Sequence, residues 1–479
     1  MDTDVLIVGA GPAGLALAVD LARHGVRALL VERSAGLFPG SRGKGIQPRT
    51  LEVFDDLGVL DAIRAAGGPY PVGMIWRDGE RVGEHAMFDA DETGPGGEEA
   101  PYAEPWMVPQ WRTQEILLAR LTELGGEVAF GRELTGIAQD ADGVTAEFTS
   151  GAPVRARYAV AADGGRSTVR RTLGIGMTGE TVDPDPVLVA DVRITGLDRD
   201  HWHVFPPDAD AGFLAICPLA GTEDFQVAAG LPSSAGPVDL SLPALRALIA
   251  ARSHLDAAEV TEVRWASDFR PRAALADRFR EGRIFLVGDA AHVHSPAGGQ
   301  GLNTSVQDAY NLGWKLAAVL RGAAPESLLA TYEEERLPVA ADMLGLSTRI
   351  HRGEARRGTA TRQLGLGYRG SSLAVETRPD LPPDALRAGD RAPDGVRGGL
   401  RLFDAFRGPH WTLLTVGTTP KATLPGTRPI HIPPYGAYGD GVFLIRPDGY
   451  VAWAGPTAEG AAAYAAGVGV RSWGMPASA

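Results

Sequence analysis

One stretch near the amino terminus restricts the fold more than any other: VLIVGAGPAGLALAVDLARHGVRALLVER, from Val5 to Arg33. Val5 to Val8 form an apolar run that reads as a strand buried on both faces. Gly9, Gly11 and Gly14 follow at the spacing G-x-G-x-x-G, with Ala13 between them, and a helical pattern leads to a second strand ending at Glu32. Glycines permit a tight turn and close approach to a pyrophosphate, and the helix start offers a positive dipole end. Glu32 stands at about the ~20-residue spacing expected of a carboxylate that binds ribose hydroxyls. Its neighbour Arg33 reads either as an adenosine contact or as a surface charge. A glycine triplet alone is weak evidence, but strand, helix, second strand and acidic terminus together predict a dinucleotide-binding βαβ unit. The competing reading is a glycine-rich turn that holds no ligand.

A second stretch, RIFLVGDAAHVHSPAGGQGLNTSVQDAYNLGWK, runs from Arg283 to Lys315. The apolar run Ile284 to Val287 stops at Gly288 and Asp289, which places a carboxylate at the carboxyl end of a strand, where open α/β sheets bind ligands. Pro296, Gly298, Gly299 and Gly301 then precede Leu302, Asn303 and a helical pattern. That arrangement lets backbone amides approach a flat ligand, with a helix start beyond them. Asp308 and Lys315 on this helix read as surface charges. His292 and His294 have the spacing of metal ligands, but no acidic or cysteine cluster accompanies them, so no metal is expected.

With ADGGRSTVRR, Ala162 to Arg171, these stretches make three motifs in a fixed order across most of Val5 to Arg336. Together they resemble the single-component (class A) flavoprotein aromatic hydroxylases, the family of p-hydroxybenzoate hydroxylase, phenol hydroxylase and the aromatic polyketide hydroxylases. The resemblance implies an α/β architecture: a Rossmann-like FAD-binding domain formed by residues 1–176 and 267–361, an inserted β-rich substrate domain at 177–266, and a thioredoxin-like carboxy-terminal domain at 385–470. It further implies extended FAD, with its pyrophosphate at Gly9, Gly11, Ala13, Gly14 and Arg42, its ribose on Glu32 and Leu134 by the adenine. Asp163 and Asp289 are expected at the cofactor, Gln110 against the flavin, and the isoalloxazine along Pro296, Gly299, Gly301, Leu302 and Asn303. By the same resemblance NADPH or NADH reduces the flavin, and one atom of dioxygen passes to an electron-rich, phenolic or polycyclic polyketide-like ring. Trp202, Phe205, Phe213, Ala215, Cys217 and Phe225, with Pro296, are the expected pocket walls. His203, His292, Tyr102 and Arg42 are candidate groups for deprotonating a phenol.

The rest of the chain fits around these motifs. A length of 479 residues implies more than one core. Net charge of −13 argues against nucleic acid or an anionic membrane as the main partner. The single cysteine, Cys217, excludes an intrachain disulfide and is consistent with a reducing cytoplasm. From Pro69 to Pro109 the composition turns to glycine, proline and acid and predicts a loop excursion. Short strands are predicted over Val187–Ile194, His201–Phe205, Gly212–Cys217, Phe225–Ala229, Trp411–Val416 and Gly441–Ile445. Leu328 to Arg336 reads as a helix ending at Pro338, and RPDLPPDALRAGDRAPDG as a proline-rich linker. The letters GLGYRG, Gly365 to Gly370, lack a preceding apolar strand and read as a loop, leaving NAD(P)H without a domain of its own. Monomer and homodimer are both compatible with the chain. The alternative function is a flavin-binding protein, oxidase or reductase that holds an aromatic antibiotic without oxygenating it.

Overall fold

The computed structural model describes residues 1–86, 97–183, 185–207, 212–232 and 238–470. Its first layer is a mixed sheet with the strand order Arg280–Glu281, Ile284–Leu286, Val154–Ala161, Thr3–Val8, Ala28–Val31, Val128–Ala129. The four central strands pair in parallel. Their side chains are mostly buried, which explains the uninterrupted apolar runs. The helix Pro12–Arg23 connects the first two strands and packs on the long helix Gly301–Leu320. Contact between them is close at Gly313, where a Cβ would collide with the Asp20 carboxylate.

A seven-stranded sheet forms the second layer, in the order Val260–Phe269, Val187–Ile194, Phe225–Gly230, Leu214–Pro218, His201–Phe205, Val72–Arg77, Glu80–His85. Its last two strands come from the stretch expected to be a loop excursion. Residues 72–77 read VGMIWR, alternating enough to bury Met74 and Trp76, and they pair in parallel with His201–Phe205. Acid-rich flanks hid this short strand in the sequence. Part of the predicted excursion, residues 87–96, lies outside the described residues.

The carboxy-terminal unit contains a five-stranded sheet in the order Val375–Glu376, Val451–Gly455, Gly441–Ile445, Trp411–Val416, Thr427–Ile432. The proline-rich segment before it is no free linker: Gly389 N–H donates to Val451 O at 2.7 Å, and Ala388 and Ala392 are buried. The predicted helix stop at Pro338 is also overturned. Helix Ala330–His351 runs through that proline, because Glu335 and Arg336, just before it, are locked into buried ion pairs that hold the axis in place.

Those ion pairs correct the reading of Lys315 and Asp308 as surface charges, since both side chains are fully buried. Lys315 Nζ lies 2.7 Å from Glu335 Oε2, and Arg446 binds both oxygens of the same carboxylate at 2.6 and 2.9 Å. Arg446 Nε also donates to Asp448 at 2.8 Å, and Trp314 Nε1 reaches Asp448 at 3.0 Å. Two helices of the first layer are thereby fastened to the carboxy-terminal unit by charges that water cannot solvate.

Burial works against the Glu335 carboxylate, but Arg446 and Lys315 hold its pKa well below the usual glutamate value of 4.5. A depressed folded-state pKa gives stability that is present above the unfolded value and lost as pH falls below it. Unfolding free energy is therefore expected to drop progressively below the ordinary glutamate value. Glu335→Ala, which strands two buried cations, should cost about 3–5 kcal/mol at pH 7 in urea titrations.

Candidate functional site

Parallel pairing places the carboxyl ends of four neighbouring strands side by side. Glu32, Gly9, Asp163 and Asp289 emerge there in one row, from strands ending at Val31, Val8, Ala161 and Leu286. Short bonds continue the ladder beyond the strands: Gly9 N–H to Val31 O and Ala162 N–H to Val8 O, both 2.8 Å.

The three glycines of the first turn are required for different reasons. Gly9 has φ +106°, and a Cβ there would strike the Ala162 carbonyl. At Gly14 a Cβ would drive into the Gly9 carbonyl. Gly11 is different, for its backbone is extended and a Cβ would meet nothing within 4 Å. Neither strain nor internal packing demands glycine at position 11, so the open space above it is fitted to something from outside the chain. The first intrahelical bond, Leu15 N–H to Gly11 O at 3.0 Å, leaves the amides of Ala13 and Gly14 without an intrahelical acceptor. Glu32 closes the turn, accepting from Ala10 N–H and Ser34 N–H at 3.0 Å each. This donor set suits a pyrophosphate and a ribose, the groups of a dinucleotide. Leu134, buried, begins the adjoining strand Leu134–Gln139. Arg33 is exposed beside Glu32, a position compatible with either of its two readings.

Further along the row, Asp163 Oδ2 accepts the amides of Thr168 and Val169 at 2.8 and 3.2 Å, and its Oδ1 is buried with no hydrogen-bond partner among the described residues. Burial raises this carboxyl's pKa, with the Ser167 hydroxyl and the amides pulling it back. Arg170 stitches two motifs together, donating to Ala290 O and Gly165 O at 3.0 Å. Asp289 opens to the cleft, yet the protein around it raises its pKa, opposed by the charges of His292 and Arg42. Arg42 is exposed and lies over the rings of Phe38 and Trp265 at 5.3 and 5.9 Å. Next to it Gly43 N–H donates to Gln110 Oε1 at 3.0 Å, and Leu302 flanks the same glycine.

The turn Pro296–Gly298 is followed by Gly299 at φ +64° and by the helix start. Thr304 N–H bonds Gln300 O at 2.9 Å, which leaves the amides of Gly301, Leu302 and Asn303 without an intrahelical acceptor. The Asn303 side chain is occupied with the protein itself: it donates to Gly45 O and Gly299 O at 2.9 Å and accepts from Gln47 N–H at 2.7 Å. Its contribution to the cleft is therefore its backbone, and its side chain holds the segment after Arg42 against the helix start.

Above this segment stands one face of the seven-stranded sheet, and alternation divides the six expected pocket walls. Trp202, Ala215 and Cys217 share a face, where Lys44 Nζ sits 4.1 Å from the Trp202 ring centroid. Phe205 and Phe225 lie on the opposite face, in a core with Met74, Trp76, Ile216 and Val227 beneath helix Leu242–Arg252. They are structural, and Phe213 is 38% exposed. His203 falls on the same far face, accepting from Trp76 Nε1 at 3.1 Å, its pKa lowered by burial. Tyr102 Oη donates to Asp55 at 2.6 Å and accepts from Arg401 at 3.0 Å, at the contact with the carboxy-terminal unit. His292 is enclosed between Asp308 at 2.6 Å and His294 at 3.0 Å. Of the four candidate bases only Arg42 opens to the cleft. Tyr70 and Arg357 are not singled out by the sequence, and Lys44 stands out there only as a cation flanked by glycines beside Arg42. The signal available was a lysine between two glycines, which reads equally as a solvated turn.

Comparison with known proteins follows this geometry. Residues 2–347 match the family described as FAD binding domain. A flavin-dependent monooxygenase of Mycobacteroides abscessus is 46% identical over 463 residues, covering 93% of this chain and 96% of that protein. A rifampicin monooxygenase of Rhodococcus hoagii is 34% identical, covering 95% of each chain. Among solved structures, a ternary complex of aklavinone-11 hydroxylase with FAD and aklavinone superposes with a TM-score of 0.83, at 30% identity and 98% coverage of both chains.

The unequal reasons for the glycines are separable by experiment. Gly11→Ala is expected to change the unfolding free energy of the apoprotein by less than about 1 kcal/mol, while FAD retention weakens by on the order of tenfold. Gly14→Ala should instead destabilise the apoprotein itself by about 1–3 kcal/mol. Urea titration and flavin fluorescence on release report the two quantities.

Proposed function

The chain belongs to the FAD binding domain family and is a flavin-dependent monooxygenase, and from that premise we propose that it consumes NAD(P)H to insert one atom of dioxygen into a phenolic or polycyclic polyketide-like aromatic substrate. The observation that carries this reading is that Arg357, bonded to Ala297 O beside Pro296, acts through its charge on Lys44 and Cys217, which brings the Pro296–Asn303 segment to the sheet face bearing Trp202, Ala215 and Cys217. A flat polycycle laid over a flat ring would lie between the two. Two relatives support the substrate class, since one is named for rifampicin and another structure holds aklavinone.

When bound, FAD supplies the redox chemistry, from oxidation of NAD(P)H to delivery of one oxygen atom. The residues proposed to hold it are Gly9, Gly11, Ala13, Gly14, Glu32, Arg33, Arg42, Gln110, Leu134, Asp163 and Asp289. Gly299, Gly301, Leu302 and Asn303 would lie along the ring, the amides of the last three and the helix dipole offering positive potential where negative charge builds on reduction. Trp202, Ala215, Cys217 and Pro296 would bound the substrate and exclude water. We assign the carboxy-terminal unit a bracing role, because Arg446 and Asp448 fasten it to two helices of the first layer. It has no cysteine with which to do dithiol chemistry.

The test follows NADPH and NADH oxidation by the holoprotein against phenols, naphthoquinones and polycyclic polyketides under isotopically labelled dioxygen. The expected result is stimulated oxidation with a product heavier by one labelled oxygen. Recovery of every ligand intact, with oxidation unstimulated, would favour a protein that binds aromatics without oxygenating them.

A further inference from the structure

Two cations stand at the sheet face that bears Trp202, and Asp191 is the one carboxylate there whose charge acts on Lys44. Lys44 lies just past the Arg42 turn; its Nζ stands over the Trp202 ring at 4.1 Å and donates to Gln226 Oε1. Arg357 projects from the loop after helix Ala330–His351 and donates through Nε and Nη2 to Ala297 O at 2.9 and 2.6 Å, which fixes it beside Pro296. Its field reaches Lys44, Tyr70 and Cys217 alike. Tyr70 stacks on Trp202 with centroids 6.4 Å apart and lies against Gly45, so one ring pair stands by both cations.

Among the described residues neither cation forms an ion pair with a carboxylate, unlike Arg336, Arg446 and Lys315 in the interior. The titratable groups facing Lys44 are the Cys217 thiol and Asp191 on the sheet and Arg357 across the enclosure. Asp191, opposite Gln226 in the strand register, is itself raised to about 6 by burial. Burial lowers the pKa of Lys44 and Arg357 adds to that, while Cys217 and Asp191 oppose it; with one carboxylate against two cations, the group is left with excess positive charge.

Resting on the monooxygenase reading above, we propose that Lys44 and Arg357 form an oxyanion-recognition pair that selects aromatic polycycles presenting an ionised ring oxygen or carboxylate to the Trp202 wall. An anion placed between them restores balance, and a neutral ether at the same position does not. Selection acts on binding: the ligand arrives already ionised, and no proton transfer is assigned to either residue.

The experiment measures dissociation constants for the FAD-loaded protein by perturbation of the flavin spectrum, across a pH series. The probes are 1,8-dihydroxyanthraquinone, its dimethyl ether and anthraquinone-2-carboxylate. The wild type is expected to prefer at least one of the two ionisable probes over the ether by about tenfold or more, with preference for the hydroxyl probe growing as pH rises towards its ionisation. Whichever of the two is preferred identifies the source of the oxyanion. Lys44→Met should lower the ratio of ionisable-probe to ether affinity by about tenfold, and Lys44→Arg should restore part of it. Arg357→Met and the wild-type pH series test the same point should Lys44→Met fail to fold. A ratio unchanged in folded Lys44→Met overturns the proposal, and a shifted flavin reduction potential in that variant would give the charge to the reduced ring. Equal wild-type affinity for ether and both ionisable probes removes only the charge selection. Failure of all the probes to bind, together with failure of every substrate in the turnover panel, removes the monooxygenase reading as well.

Discussion

Side-by-side parallel pairing of Ala28–Val31, Thr3–Val8, Val154–Ala161 and Ile284–Leu286 is the constraint on which the site depends. Strands of one polarity must leave the sheet at a common edge, so segments more than a hundred residues apart in sequence arrive within a few strand spacings of ~4.8 Å. Glycine at positions 9 and 14 and the Arg170 bonds to Gly165 O and Ala290 O then fix the loops relative to one another. A slip of one strand would move a carboxylate away from the row and turn its apolar set to the wrong face.

Behind that edge the protein places ionised groups where water cannot reach. Asp308 accepts from Gly288 N–H at 3.0 Å, meets His292 at 2.6 Å and pairs with Arg336 at 2.8 Å, so one carboxylate ties a strand end to two helices. Such pairs contribute little net stability against an apolar core, because desolvation opposes the Coulomb gain. What they contribute is geometry, since a misplaced partner leaves a bare charge. Lys44 and Arg357 differ: among the described residues neither lies within ion-pair distance of a carboxylate, and Asp191 alone acts on Lys44 through its charge.

The parts of the fold most legible in the sequence were those whose chemistry permits few alternatives. Gly9, Gly14 and Glu32 follow from a turn that admits no other side chains there, and the strands Trp411–Val416 and Gly441–Ile445 emerged with their predicted limits. The roof strands were legible as strands, but not the direction of their faces. Alternation separates Trp202 from Phe205 and Cys217 from Phe225, yet only the position of helix Leu242–Arg252 decides which set is core. Asp308 and Lys315 were misread because the helix Gly301–Leu320 is buried around nearly its whole circumference, so its polar residues mark interior ion pairs instead of a solvated stripe. Pro338 was misread because tertiary anchoring of Glu335 and Arg336 outweighs the local penalty of proline.

The strand Val72–Arg77 lies in parallel beside His201–Phe205, although more than a hundred residues separate them. The upper layer is therefore assembled from two non-contiguous pieces, and the chain must return to it after building much of the lower one. A transplant of this layer between relatives cannot be made with a single cassette; a donor lacking its early hairpin would expose the backbone edge of His201–Phe205 to solvent and to other unfolded chains.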